Sequence, residues 1–191
     1  MGTPMESWPQ RHRITVHEYH RMAEIGLLAP DARVELIEGE IIDMAPIGSE
    51  HASVVDQLNH LLVRAVGERA IVRVQGSVRL SHITEPEPDV AVLRPRADFY
   101  RHEHPNGADI LLLIEVSDST LRYDRDVKVP LYAKHGVAET WIVNLRDHCL
   151  STYADPADGR YRTHATVAEL GVTPLAALPA VTVNLSKLLQ P

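Results

Sequence analysis

The segment Leu111-Leu-Leu-Ile-Glu-Val-Ser117 decides the fold of this chain. Together with residues 109 and 110 it forms an almost continuous apolar run, which is typical of a strand that other elements cover on both faces. Glu115 lies inside this run. An ionised carboxylate is costly to bury unless a cation or a hydrogen-bond donor lies beside it. Glu115 therefore predicts a functional site at this strand.

A second segment, Glu87-Pro-Asp-Val-Ala-Val92, also places an acid against a short apolar run. We expect Asp89 and Glu115 to lie on neighbouring strands, and Lys128 to follow on the next helix. Carboxylate oxygens are ligands of Mg²⁺, and a bound divalent ion can activate water for the hydrolysis of a phosphodiester. A lysine beside them can hold that water or stabilise negative charge in the transition state. The sequence therefore predicts a divalent-metal site.

Capping and turn signals place the elements of the N-terminal half. Thr15, with Glu18 three residues later, predicts the start of a helix. The pair Glu38-Gly39 predicts a tight turn between strands at residues 33–37 and 40–44. The pair Gly48-Ser49 precedes a helix whose apolar residues recur at spacings of three and four.

Further signals predict the rest of the chain. Ser119 or Thr120 starts a helix that Gly136 ends. Extended segments are predicted at residues 71–75, 78–80, 89–93, 140–145, 149–154 and 161–165, and residues 175–189 form an extended segment with a short helical turn. The result is a mixed sheet with helices packed on it.

Length and composition predict a single domain at residues 14–191, after a flexible N-terminal arm at residues 1–13. The arm lacks the apolar stretch of a secretory signal, and no apolar run reaches the roughly 18 residues that span a membrane. A single cysteine, Cys149, cannot form an internal disulfide, which favours the cytoplasm. The net charge of −7 argues against a protein that coats nucleic acid through bulk charge. A metal-dependent nuclease stays open, because metal ions neutralise phosphates locally.

Several other side chains have two interpretations. Glu35 is either a surface residue of the first hairpin or a further carboxylate of the site. His51 lies in the first turn of a helix, where it is a core or capping residue or binds substrate, and Gln75 borders the site or not. Asp124 and Asp126 most simply cap the helix that carries Lys128 and favour its dipole.

The histidines do not favour a zinc site. The pairs His17-x-x-His20 and His102-x-His104 lack cysteine partners and lack the HExxH pattern.

Over residues 15–144 the chain resembles the Uma-two family of bacterial endonucleases, in the restriction-endonuclease-like superfamily whose signature is written PD-(D/E)XK. The matching segments are residues 34–41, 44–46, His51, 87–92, 114–117, 119–120, 123–125, Lys128, Tyr132, 136–137 and 141–143. The resemblance implies an α/β fold with a restriction-endonuclease-like mixed central β-sheet flanked by α-helices, preceded by an N-terminal helix and β-hairpin.

The resemblance also implies an activity. It implies a Mg²⁺- or Mn²⁺-dependent endonuclease that cuts DNA as a homodimer. Asp89 and Glu115 would hold the ion, with help from the Val116 carbonyl, and Lys128 would orient the water or stabilise the transition state. Glu35 would tune the metal or bind a second ion.

One departure from the superfamily pattern leaves a rival interpretation open. The pattern has a lysine two residues after the glutamate, where this chain has Ser117. If Lys128 replaces it, its ammonium should lie about 3 to 4 Å from Glu115 or Asp89, in room left above Ser117. The rival is a catalytically degenerate module that binds nucleic acid or a protein partner, which the net acidic charge and the displaced lysine favour.

Overall fold

The computed structural model describes residues 9–190 of the chain. Its helices are α1 (Val16–Glu24), α2 (Ser49–Val66), α3 (Leu121–Tyr123) and α4 (Val129–Lys134), with 3₁₀ turns at Gly67–Arg69 and Gly107–Asp109 and a π turn at Asp124–Lys128. Its strands are β1 (Val34–Ile37), β2 (Glu40–Asp43), β3 (Ile71–Val74), β4 (Val90–Leu93), β5 (Ile110–Ser117), β6 (Glu139–Asn144), β7 (Cys149–Ala157), β8 (Arg160–Val167), β9 (Val172–Leu175) and β10 (Leu178–Asn184). The predicted mixed α/β class is confirmed.

A six-stranded mixed sheet in the order β3-β4-β5-β6-β7-β8 forms the centre of the fold. Strands β5 and β6 are parallel, and the other neighbours are antiparallel. All eight residues of β5 are buried, which explains its apolar run. Parallel neighbours need a crossover connection, and α3, the π turn and α4 supply it.

Helices cover both faces of this sheet. Alternate residues of a strand point to opposite faces, so Val90 and Ile114 join the large core under α2, whereas Ala91 and Leu113 join a smaller core with Tyr132 of α4. Glu115 lies two positions after Leu113. Its side chain therefore points towards α4, the side from which Lys128 arrives.

The β1–β2 hairpin forms a separate two-stranded sheet, as do β9 and β10. The predicted turn is confirmed, and both Glu38 (φ 49°) and Gly39 (φ 79°) have the positive φ of a type I′ turn. Leu36 exchanges two backbone hydrogen bonds with Glu85, at 3.2 and 2.7 Å. This pairing fixes β1 beside the segment that leads into β4, and so brings Glu35 near Asp89.

Other local predictions have mixed outcomes. The capping box of Thr15 and Glu18 is confirmed at the start of α1. The extended segment at 78–80 is not a regular strand, because its backbone bonds to the separate segments at Thr84, Pro86 and Pro105.

The predicted helix from Ser119 or Thr120 to Gly136 is interrupted by the π turn. Pro130, just after this turn, has no N–H to give to a carbonyl one α-turn earlier, and its ring would crowd that carbonyl.

Part of the predicted N-terminal arm, residues 1–8, lies outside the described residues. Residues 9–13 contain no helix or strand, and Arg13 donates a hydrogen bond to the Glu38 carbonyl. Within residues 9–190, no helix has the length and apolar character needed to cross a membrane.

Candidate functional site

A cleft of about 640 Å³ opens at the end of β5 that carries Glu115. The hairpin, the first turn of α2, the segment before β4 and the α3–π turn region form its walls. Glu35, Asp89, Glu115 and Lys128 all line it, as does His51. Gln75 does not. Its backbone N–H donates to the Asp89 carbonyl at 3.0 Å, so it supports the strand end rather than facing the cleft.

Lys128 lies between two buried carboxylates. Its Nζ is 3.1 Å from Glu35 Oε2 and 3.3 Å from Glu115 Oε1, and only 6% of the side chain is exposed. The predicted distance of 3 to 4 Å is confirmed. Burial lowers the pKa of Lys128, but the carboxylates of Glu115, Glu35 and Asp124 more than offset it, so the pKa lies above its ordinary value. This direction favours the ammonium form of Lys128.

Glu35 belongs to the cleft and is not a surface residue. It is 3% exposed, and its Oε2 accepts a hydrogen bond from the Glu87 backbone N–H at 3.2 Å in addition to the ion pair with Lys128. The backbone pairing of Leu36 with Glu85 places Glu35 in the cleft, because it holds β1 beside the segment that contains Glu87.

Glu115 is held from the α4 side. The Tyr132 hydroxyl donates to Glu115 Oε1, the same oxygen that lies near Lys128. Burial raises the pKa of Glu115 well above its ordinary value, and the charges of Asp124, Asp89 and Glu35 raise it further, while Lys128 opposes them. A further cation near Glu115 would favour its ionised form.

Asp89 is held from both neighbouring elements. Its Oδ2 accepts the Val116 backbone N–H at 2.8 Å and lies 3.1 Å from His51 Nε2. The hydrogen bond to Asp89 raises the pKa of His51, although burial opposes it. His51 Nδ1 is buried and has no hydrogen-bond partner among the described residues. The imidazole therefore orients Asp89 through Nε2.

Asp124 is a member of this cluster that the sequence analysis missed. It is buried, and its Oδ2 accepts hydrogen bonds from Ser117 Oγ and Thr120 Oγ1, both at 2.7 Å. The prediction that Asp124 caps the helix is wrong, because Tyr123 holds the N-cap position of the π turn and the Asp124 carboxylate bonds to side-chain hydroxyls. Its predicted place among the acids of the first turn is confirmed. The room expected above Ser117 is also absent, because Asp124 fills it. The sequence signal for this contact was the pair of hydroxyl residues, Ser117 and Thr120, at the end of the apolar strand.

Asp126 lies on the opposite side of the same turn. It is exposed and pairs with Arg125 at 2.8 Å. The π turn therefore sends Asp124 and Lys128 inwards and leaves Asp126 in solvent.

Asp89 and Glu115 each keep one carboxylate oxygen available to a ligand. Within residues 9–190, neither Asp89 Oδ1 nor Glu115 Oε2 accepts a hydrogen bond, whereas the other oxygen of each side chain is engaged. Mg²⁺ and Mn²⁺ bind carboxylate oxygens together with water and substrate oxygens. The donor set therefore fits such an ion.

Comparisons with known proteins agree with this architecture. The family model Uma2, described as "Putative restriction endonuclease", matches residues 16–186. A solved structure from Anabaena variabilis ATCC 29413, described as "a putative nuclease belonging to DUF820", is similar with a TM-score of 0.69 and 16% sequence identity, over 92% of this chain and 97% of that chain. At this identity the likeness concerns the fold. A comparison with curated proteins found no match.

Proposed function

The chain belongs to the Uma2 family, and from this premise we propose that it is a divalent-metal-dependent endonuclease that hydrolyses phosphodiester bonds in DNA. The observation that carries the proposal is the meeting of Glu35, Asp89, Glu115 and Lys128 in one cleft. These residues come from four separate elements. Their distances thus reflect the tertiary fold and not a local motif.

The balance of charge in the cleft supports a metal ion. A structural ion pair needs one carboxylate for Lys128, yet seven other acids line the same cleft as Glu115, against the cations Lys128 and Arg33. Four of these acids are buried or partly buried: Glu35, Glu87, Asp89 and Asp124. Burial raises the pKa of Glu87 as well, so the excess negative charge is poorly solvated. Such a cluster is destabilising by itself, and a divalent cation would offset it.

We assign the metal to Asp89 and Glu115 through their free oxygens. A bound Mg²⁺ or Mn²⁺ would act as a Lewis acid and lower the pKa of a bound water. Val116 supports this assignment through the N–H that fixes Asp89. The Val116 carbonyl, expected to assist the metal, stays a prediction.

The other residues then take defined roles. Lys128 holds a fixed ammonium where negative charge grows on a phosphate, which lowers the energy of the transition state. Glu35 positions that ammonium, and Tyr132 and His51 position the two metal ligands. His51 is therefore a positioning residue in this proposal, in place of the substrate-binding role expected for it.

The first turn of α2 supports a phosphate-containing substrate. Residues 48–51 line the cleft, and the N-cap residue Gly48 has no side chain to occupy the free N–H groups of the helix start. Helix N-termini bind phosphate through such N–H groups and the helix dipole. We further propose that two copies act as a homodimer to cut both strands, which light scattering can test.

A nuclease assay on plasmid, single-stranded DNA and RNA, in Mg²⁺, in Mn²⁺ and in EDTA, tests the proposal. We expect cleavage of DNA that needs the metal, and a loss of at least about a hundredfold in Asp89→Asn, Glu115→Gln and Lys128→Met. Asp126→Asn is the matched control, because it removes an exposed acid of the same π turn. Full activity in Asp89→Asn would overturn the assignment.

The rival function, a module that binds without cutting, has its own outcome. It predicts DNA binding without cleavage in Mn²⁺, and equal binding by the wild type and Asp89→Asn. The net charge of −7 still favours it. The displaced lysine no longer does, since Lys128 reaches the carboxylates.

A further inference from the structure

A second group of metal-binding side chains lies outside the cleft. His20 of α1, Glu85 before β4 and His104 in the loop between β4 and β5 place three ligand atoms within 4.8 Å of one another. His20 Nε2 is 2.6 Å from Glu85 Oε1, and the rings of His20 and His104 have their centroids 6.2 Å apart. None of the three lines the carboxylate cleft.

Glu85 gives the second, independent indication of a ligand. Its side chain is 2% exposed, and its Oε2 is buried without a hydrogen-bond partner in the part of the chain that the structure describes. A buried carboxylate oxygen without a donor is costly, so its presence calls for a partner. The fold itself needs only the backbone of Glu85, which pairs with Leu36.

The donor set selects the class of ion. Two imidazoles and one carboxylate suit Zn²⁺ and its borderline relatives, whereas Mg²⁺ prefers oxygen ligands alone. In a tetrahedral zinc site with bonds of about 2.0 to 2.2 Å, ligand atoms stand roughly 3.4 Å apart. His20 Nε2 and Glu85 Oε1 are closer than that, at 2.6 Å, and all three ligand atoms lie within 4.8 Å of one another. The two histidines have exposed side chains that can adjust to the ion by rotation.

We propose that His20, Glu85 and His104 bind one Zn²⁺ ion. With three protein ligands, the fourth coordination position is left to water or another small ligand. The ion ties α1 to the loop at residues 94–109, two segments that are far apart in sequence. The site takes one histidine from each of the two pairs that separately gave no zinc pattern. It does not depend on whether the cleft cuts DNA.

Equilibrium dialysis of the untagged full chain against ZnCl₂, followed by metal analysis, tests this site. We expect one tightly bound Zn²⁺ per chain in the wild type and in Asp89→Asn. We expect the affinity for Zn²⁺ to fall by at least about tenfold in His104→Ala and in His20→Ala. Loss of a residue that only hydrogen-bonds to a metal ligand already costs about that much, and loss of the ligand itself should cost no less.

Two histidines provide matched controls. His102→Ala lies two residues before His104 in the same loop, and His17→Ala lies one turn before His20 in the same helix. Both should keep the ion. Thermal unfolding gives a second measurement, since Zn²⁺ should raise the Tm of the wild type and of the two controls but not of His104→Ala. Equal zinc binding by wild type and His104→Ala, or equal losses in the controls, would overturn the proposal.

Discussion

Replacing Lys128 with methionine should destabilise the folded chain strongly in the absence of metal. Its ammonium is 3.1 Å from Glu35 and 3.3 Å from Glu115, and both carboxylates are 3% exposed. Methionine keeps an apolar stem of similar length but leaves both carboxylates without a cation. Removing one partner of a buried pair costs about 3–5 kcal/mol, which for a chain of this length corresponds to a fall in Tm of about 6 to 20 °C.

Urea unfolding followed by circular dichroism in EDTA at neutral pH measures this loss. Lys134→Met is the control, because Lys134 lies 2.8 Å from Glu38 but is 57% exposed, and exposed pairs contribute about 0–1 kcal/mol. The double variant Glu35→Gln with Lys128→Met should recover part of the stability, since one stranded charge is removed. The reasoning is refuted if Lys128→Met and Lys134→Met differ by less than about 1 kcal/mol.

Three further changes test separate contacts. Tyr132→Phe removes the hydroxyl that donates to Glu115 and should lower the free energy of unfolding by about 1.5–3 kcal/mol in urea. Ser117→Ala leaves Asp124 with one hydroxyl donor and should cost about 1–3 kcal/mol in the same assay. Burial raises the pKa of Glu139, although hydrogen bonds to it oppose the shift, so the folded state holds this proton more tightly than the unfolded state. The stabilisation from protonated Glu139 is therefore present below about pH 4.5, and it is lost as pH rises through the pKa of Glu139 in the folded state. Glu139→Gln should remove this contribution to the pH dependence of the urea midpoint, measured from about pH 4 to 8.

Each of these changes has a control. Ser119→Ala, an exposed hydroxyl two residues after Ser117, should leave stability within about 0.5 kcal/mol, and an equal loss in both would count against the Asp124 contact. Glu169→Gln changes an exposed acid and should leave the pH slope unchanged. A Tyr132→Phe variant as stable as the wild type would show that the Glu115 contact contributes little.

Features that depend on neighbours in sequence could be predicted. The capping box of Thr15 and Glu18, the turn at Glu38-Gly39 and the buried strand that carries Glu115 each leave a signal within a few residues. The segment at 78–80 leaves no such local signal. Its backbone partners lie in segments up to 26 residues away, at Pro105, and alternation alone cannot reveal an irregular pairing of this kind.

The residues of the site also fall into two groups, those with a local sequence signal and those whose contacts depend on the tertiary fold. Glu115 and Asp89 could be found because buried carboxylates violate the apolar pattern of their strands. Asp124 was misassigned because its position near the predicted helix start indicated a cap, whereas its carboxylate bonds to the hydroxyls of Ser117, at the end of β5, and Thr120. Contacts such as His51 with Asp89 join residues 38 positions apart, so only the tertiary fold creates them.

The location of Lys128 on the π turn also affects how such proteins can be found and how they can change. A genome search for an acid followed two residues later by lysine would pass over this chain, because position 117 is a serine that holds Asp124 in place. A search for the same charges in space would find it. The sequence of β5 and the position of the lysine can then change independently in descendants of this gene. The condition is that the π turn before Pro130 keeps the residue that it has in addition to a regular α-helical turn. A deletion of one residue there would rotate the lysine by about 100° away from the carboxylates without altering the strand at all.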